Sequence, residues 1–235
     1  MPNANPAAVA GIDRWRGGWI VAESGGGLSR AGDVKLWTCE QIDEAVDRLG
    51  AAAVVAIDMP IALARSGTRT AEAEVRSVLG RSARSVFTSP TRAALEAPSQ
   101  AEATLVNRAN GGPGISAQAY GLFASIRELR ASLSGAAGEQ WYETHPETAF
   151  ALMNDGEPLA SKRTALGVAQ RLTHLRFIFA GIDDLLLSAP PKVPIDDVLD
   201  ALGALWSAER IGAGEATVFG EHGRDDQGFV LGVRV

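Results

Sequence analysis

Val9-Ala-Gly-Ile-Asp13, an apolar run ending on a carboxylate, leads through Arg14-Trp-Arg-Gly-Gly18 into a second apolar run, Trp19-Ile-Val-Ala22. The glycine pair supplies the positive φ of a tight hairpin, so this stretch predicts two antiparallel strands joined by a turn. Val34 to Trp37 adds a third strand. Glu40 to Leu49 reads as a helix, with Ile42, Ala45, Val46 and Leu49 at helical spacing and Gly50 as its stop. Ala53-Val-Val-Ala-Ile57 is β-branched without alternation, the pattern of a strand covered on both faces, and it ends at Asp58.

From Pro60 to Gly138 the pattern turns helical. A helix over about 70–79 carries Glu72 and Glu74 in its first turns and Gly80 beyond its end. Ser99 with Glu102 is a capping box for a second helix, closed by Asn110-Gly-Gly-Pro-Gly114. A third, over about 117–133, aligns Tyr120, Phe123, Ile126, Leu129 and Leu133. Gln140 to Thr144 is a further strand that runs into His145-Pro146-Glu147, where the proline stops ladder pairing. A helix near 163–179, a Pro190-Pro191 break, an amphipathic helix from Asp196 to Trp206 and a closing hairpin of Thr217–Phe219 with Phe229–Val235 complete the chain. Ser24-Gly-Gly-Gly27 is a small glycine turn. The expectation is one α/β domain over 1–235, with a helical insertion at about 60–138 between the fourth and fifth strands.

The 235 residues, 46% hydrophobic and 21% charged, suffice for a sizeable core and exclude a disordered chain. No apolar stretch approaches the roughly 20 residues of a membrane span, and 1–8 lacks the basic and apolar regions of a secretion signal. A cytoplasmic protein without membrane contact is expected. A lone cysteine, Cys39, rules out a disulfide framework or thiolate metal site and reads as a small residue at a strand end. The three histidines are widely separated, so any metal would be held by oxygen: magnesium, manganese or calcium. The net charge of −6 argues against generic nucleic-acid coating, yet six arginines between Arg65 and Arg92 face only Glu72 and Glu74, a local +4 that leaves −10 elsewhere. An anion-binding surface beside an acidic site fits that division, as does a solvated helix face. Oligomeric state is not fixed by these features, and a homodimer is compatible with them.

Asp13, Asp58 and Glu143 each stand at the end of a strand from a different part of the chain, where aspartate is disfavoured and a buried carboxylate is costly. Separately each reads as a turn or cap residue; together they can converge at one sheet edge. On the last helix, Val198, Leu202, Leu205 and Trp206 form an apolar stripe, with Asp197 and Asp200 about 60° apart on the other side, able to share a ligand. The competing reading makes Asp196 the N-cap, Asp197 a dipole partner and Asp200 solvated. If the aspartates meet, repulsion raises at least one pKa unless a cation is present. Two magnesium ions about 4 Å apart would activate water and stabilise the departing oxygen of a phosphodiester, with arginine neutralising neighbouring phosphates.

Taken in order, Gly11-Ile-Asp13 with Gly17-Gly18-Trp19, Ile57-Asp-Met-Pro-Ile61, Arg69 with Arg76, Ser85-Val-Phe87 with Pro90 and Arg92, Glu143-Thr-His-Pro-Glu147, Ser161-Lys162 and Asp196-Asp-Val-Leu-Asp-Ala201 resemble the blocks of the domain of unknown function 429 family. That family is described as predicted nucleases of the ribonuclease H-like superfamily, and the resemblance covers nearly the whole chain. It implies a five-stranded mixed sheet with three leading antiparallel strands, flanked by helices. It also maps Asp13, Asp58, Asp197 and Asp200 onto the Mg²⁺ or Mn²⁺ carboxylates, closest to the Holliday-junction resolvase branch. Glu143, His145 and Glu147 belong to the family's own motif: Glu143 is expected as an added ligand or base, His145 as proton shuttle or substrate contact. Arg69, Arg76, Arg92, Glu147 and Lys162 complete the expected substrate contacts. Where the family often has aspartate in its arginine-flanked helix, this chain has Glu72.

The leading expectation is a metal-dependent phosphodiesterase acting on nucleic acid or nucleotide. The alternative is a non-catalytic nucleic-acid- or protein-binding module on the same fold. An actin-like phosphotransferase ranks below both, since no second glycine-rich phosphate loop follows a late strand.

Overall fold

The first two strands, β1 (Val9–Trp15) and β2 (Gly18–Ser24), form the predicted hairpin, with Gly18 supplying the positive φ of 139°. The structure is a computed structural model that describes residues 8–25, 34–51, 53–133 and 138–235. Residues 1–7 and the glycine turn at 26–27 lie outside the described residues. β3 (Val34–Cys39) pairs antiparallel with β2, while β4 (Val54–Ile57) and β5 (Trp141–Glu143) add on parallel at the other edge. The order is β3-β2-β1-β4-β5, the mixed five-stranded arrangement of ribonuclease H-like folds.

Helices cover both faces. On one, Ala10 and Ile12, Trp19 and Val21, Val55 and Ile57, and Trp141 pack against α1 (Ile42–Leu49) and helices inserted between β4 and β5. The insertion comprises α2 (Thr70–Leu79), a 3₁₀ turn (Gly80–Ser85), α3 (Arg92–Leu95), α4 (Gln100–Ala109), α5 (Ala117–Gly121) and α6 (Phe123–Ser132). The single helix expected over 117–133 breaks at Leu122, whose N–H bonds Ala119 O three residues back instead of four. Gly121, a poor helix interior residue, marks the break.

On the opposite face Val9, Ile20, Ala22 and Ala56 pack against α7 (Pro146–Met153) and α10 (Ile195–Ala213), with α8 (Ala165–Ile178) and α9 (Ile182–Leu187) outside. Helix α7 was not expected from sequence. His145 is its N-cap and Pro146 occupies its first position, so the proline that ends the strand also opens a helix. Helix α10 starts earlier than expected, at Ile195 with Pro194 as N-cap, so Asp196 lies inside the first turn and is not the cap. It also runs seven residues past Trp206, to Ala213. β6 (Val218–Phe219) and β7 (Val233–Arg234) form the closing antiparallel hairpin, packed on α2. No helix among the described residues is long and apolar enough to cross a membrane.

Candidate functional site

Strand parity decides which carboxylates meet. Ile12 and Ile57, which pair across β1 and β4, both face the insertion helices, so Asp13 and Asp58, one position on, turn toward α10. Asp58 N–H donates to Ile12 O at 3.0 Å and keeps the two strand ends together. Helix α10 comes close because β1 has Gly11 where a side chain would meet it: a Cβ there would lie 2.0 Å from Leu205 N and 2.2 Å from Ala201 O. One turn before Ala201 and Ala204, the same helix face brings Asp197 and Asp200 to the end of β1. Asp200 is therefore not solvated: it is 1% exposed, and Asp13 is 6% exposed.

The electrostatics follow from that crowding. Burial, then the charges of Asp200 and Asp58, push Asp13 well above the usual carboxylate range. Burial and Asp200 push Asp58 up to about 7, and burial pushes Asp200 up to about 6. Asp197 is raised more mildly, by burial and by Asp196. One cation enters the group: Lys162 Nζ bonds Asp200 Oδ2. Burial opposes that ammonium, and the charge and hydrogen bond of Asp200 outweigh it, holding Lys162 above its ordinary range. Asp200 Oδ1 and Thr144 Oγ1 are buried without a hydrogen-bond partner.

Glu143 takes the other side. It pairs with Ile57 in register and so faces the insertion, where Arg69 grips both its oxygens, Nη1 to Oε2 at 2.6 Å and Nη2 to Oε1 at 2.7 Å. Ile61 N–H adds a third bond at 3.2 Å. The expected role as a ligand or base thus meets a carboxylate already held by a buried arginine. Arg69 also bonds Glu72, Ala62 O and Ser89, so it braces the cavity wall instead of presenting a free guanidinium. Glu72, at the position where the family often has aspartate, accepts from Arg69 Nε and Ser89 N–H.

Asp13, Asp58, Asp197, Lys162, Glu143, Arg69 and His145 line one cavity of about 250 Å³ at the ends of β1, β4 and β5. Arg14 and the apolar Met59, Pro60, Phe87 and Leu122 line it too, none of them anticipated as site residues. His145 is neutral near pH 7: burial and then Lys162 lower it to about 4, while its Nδ1 caps α7 by accepting from Thr148 N–H. The remaining expected contacts lie elsewhere. Arg76 donates to Val86 O and Thr88 Oγ1. Arg92 belongs to a second cavity of about 360 Å³, paired there with Asp225 and Asp226. Glu147 is paired at 2.6 Å with Arg171, which is fully buried. Arg171 was missed from sequence, although its place between Val168 and Leu175 on the buried stripe of α8 marks a cation that needs a partner.

Oxygen donors, crowding that favours a cation and an unpartnered Asp200 Oδ1 suit a hard divalent ion. Yet among the described residues no three histidine, cysteine, aspartate or glutamate side chains stand ready as a metal-holding group. The donor chemistry fits; the positive charge now within the group is the Lys162 ammonium.

Comparison with curated proteins and with solved structures returns no match. A family model does match, over residues 11–224, from Gly11 ahead of the first aspartate to beyond the last helix. The chain therefore belongs to the family described as protein of unknown function, DUF429.

Proposed function

We propose that the protein is a divalent-cation-dependent phosphodiesterase whose substrate is nucleic acid or nucleotide. The observation that carries this reading is the convergence of Asp13, Asp58 and Asp200, from three distant segments, at the ends of β1 and β4, where burial raises all three pKa values and the charge of Asp200 raises those of Asp13 and Asp58 further. The ribonuclease H-like sheet order supports it. Asp13, Asp58 and Asp200 would hold the ion, with Asp197 at the rim. Once bound, Mg²⁺ or Mn²⁺ supplies Lewis acidity, an activated water and stabilisation of the departing oxygen.

The chain's own groups do the rest. Arg69, Arg76 and Arg92 are held by internal partners, and Lys162, which lines the cavity and is held by one oxygen of Asp200, is the cation assigned to the phosphate. Neutral His145 adds no charge of its own to the cavity and fixes the start of α7. Met59, Pro60, Phe87 and Leu122 give the substrate's organic portion an apolar wall that excludes water.

The test pairs Mn²⁺ binding, followed by electron paramagnetic resonance, with hydrolysis of bis-p-nitrophenyl phosphate and of oligonucleotides. Asp13→Asn is expected to lose both; retention of both sinks the reading. The second reading is a non-catalytic nucleic-acid- or protein-binding module on the same fold, in which the Lys162 ammonium is the charge that Asp200 keeps. Binding that survives chelation and weakens steeply with salt would select it.

A further inference from the structure

Lys162 sits on the segment between α7 and α8, whose backbone is fixed on every side. Arg171 Nη1 donates to Ala160 O at 2.8 Å, and Ala160 N–H donates to Gln170 at 2.8 Å. Thr164 caps α8 and donates twice to Ser161 O, from N–H at 2.9 Å and from Oγ1 at 2.8 Å. Helix α8 presses so closely on this turn that a Cβ on Gly167 would lie 2.1 Å from Ser161 O. The main chain beside Lys162 is pinned, and its freedom lies in the four-carbon side chain. That side chain is 29% exposed and spans from the cavity to Asp200, which is 1% exposed. Its ammonium is held by one oxygen of Asp200 while the other oxygen has no partner.

Building on the proposed ion site, we propose that Lys162 is a resident stand-in cation: its ammonium occupies Asp200 until a divalent ion takes that oxygen, and the displaced arm then swings into the cavity to receive the substrate's phosphate. The physical grounds are local. Crowded carboxylates, of which Asp13 and Asp200 are buried, are stabilised in their charged form by a nearby cation, and the ammonium supplies one such charge. A divalent ion brings two and competes for the same Asp200 oxygens, and like charges at contact distance repel. A lysine on a flexible stem can retreat where a bidentate arginine would be trapped. Leaving Asp200, Lys162 remains tethered by its pinned backbone to the cavity it lines, so ion binding and phosphate binding become ordered events.

The chain has only three lysines, Lys35, Lys162 and Lys192, and the other two are exposed, which makes the exchange directly readable. Brief acetylation of the intact protein with limiting N-hydroxysuccinimidyl acetate, followed by mass spectrometry, is expected to modify Lys35 and Lys192 and spare Lys162. Saturating Mn²⁺ is expected to raise labelling of Lys162 several-fold relative to the two internal references, and not in Asp13→Asn. In parallel, Lys162→Met is expected to bind Mn²⁺ more tightly, by about 5- to 100-fold, since a competing charge has been removed. Mn²⁺ uptake with Lys162 labelling unchanged overturns the exchange and leaves the ion site standing. Uptake by Lys162→Met no tighter than by the wild type also overturns it. No Mn²⁺ uptake at all removes the ion site and the exchange together. The labelling arm uses the wild-type chain and is decisive even if Lys162→Met folds poorly.

Discussion

Gly11 lies directly beneath Leu205, with no room between strand and helix for even one methyl group: a Cβ on Gly11 would stand 2.0 Å from the Leu205 nitrogen. Because the obstacle is backbone, Gly11→Ala must push α10 away from β1. Overpacking of this kind costs about 1–3 kcal/mol and more where backbone must move, so about 3 kcal/mol is the expected loss in urea unfolding. The same displacement separates Asp200 from Asp13, so under the proposed ion site folded Gly11→Ala is expected to bind Mn²⁺ more weakly than the wild type. Wild-type stability in this variant would show that the helix can withdraw without strain.

Asp58 makes the protein less stable as pH rises. Its pKa is 3.8 in an unfolded chain and about 7 in the fold, so between those values the folded state holds a proton that the unfolded state has released. Stability therefore falls from the acid side toward neutrality. Asp58→Asn removes this dependence, and its stability relative to the wild type is expected to climb between about pH 4 and pH 8. A difference that stays flat across that range contradicts the assignment.

His145 works in the opposite direction. Its pKa is 6.5 unfolded and about 4 folded, so the unfolded chain gains a proton first and stability drops as pH falls through that interval. His145→Asn keeps an N-cap acceptor and is expected to flatten the acid-side loss at little cost near pH 7. His145→Ala loses the cap as well and is expected to cost about 1 kcal/mol. Thermal unfolding at several pH values separates the three chains.

The bond between Arg69 and Glu143 is costly to break from one side. Both side chains are less than a tenth exposed, so Arg69→Met leaves a buried carboxylate without its partner. The expected loss is about 3–5 kcal/mol. Combining it with Glu143→Gln is expected to cost less than the sum of the two single changes, as a double-mutant cycle in denaturant would record. Strict additivity would mean that the two groups stabilise the fold independently.

Much of this was legible in the chain. The hairpin glycines, the β-branched run before Asp58 and the Ser99 cap carried the strand and helix order, because local periodicity and turn chemistry dominate there. Asp13 and Asp58 were legible as costly carboxylates at strand ends, and Asp200 as an aspartate able to share a ligand with Asp197, but its burial was not, since the apolar stripe of that helix was read on the other side. The partners of the charges were not. Glu143 lies 74 residues from Arg69, and nothing local distinguishes an arginine destined for a buried carboxylate from one facing water. Arg92 shows the same limit, since its acidic partners come from the closing hairpin, 134 residues away for Asp226. Helix α7 was hidden because His145-Pro146 signals a strand end as strongly as it signals a helix start.

Engineers often shorten a protein by cutting out a long excursion between neighbouring strands, and here 60–138 would be the tempting target. The guanidinium of Arg69 forbids it. Deleting that segment would strand the Glu143 charge and strip away the apolar residues that share a core with Trp141. Any minimised version would have to replace Glu143 and Trp141 together, in the same step as the excision.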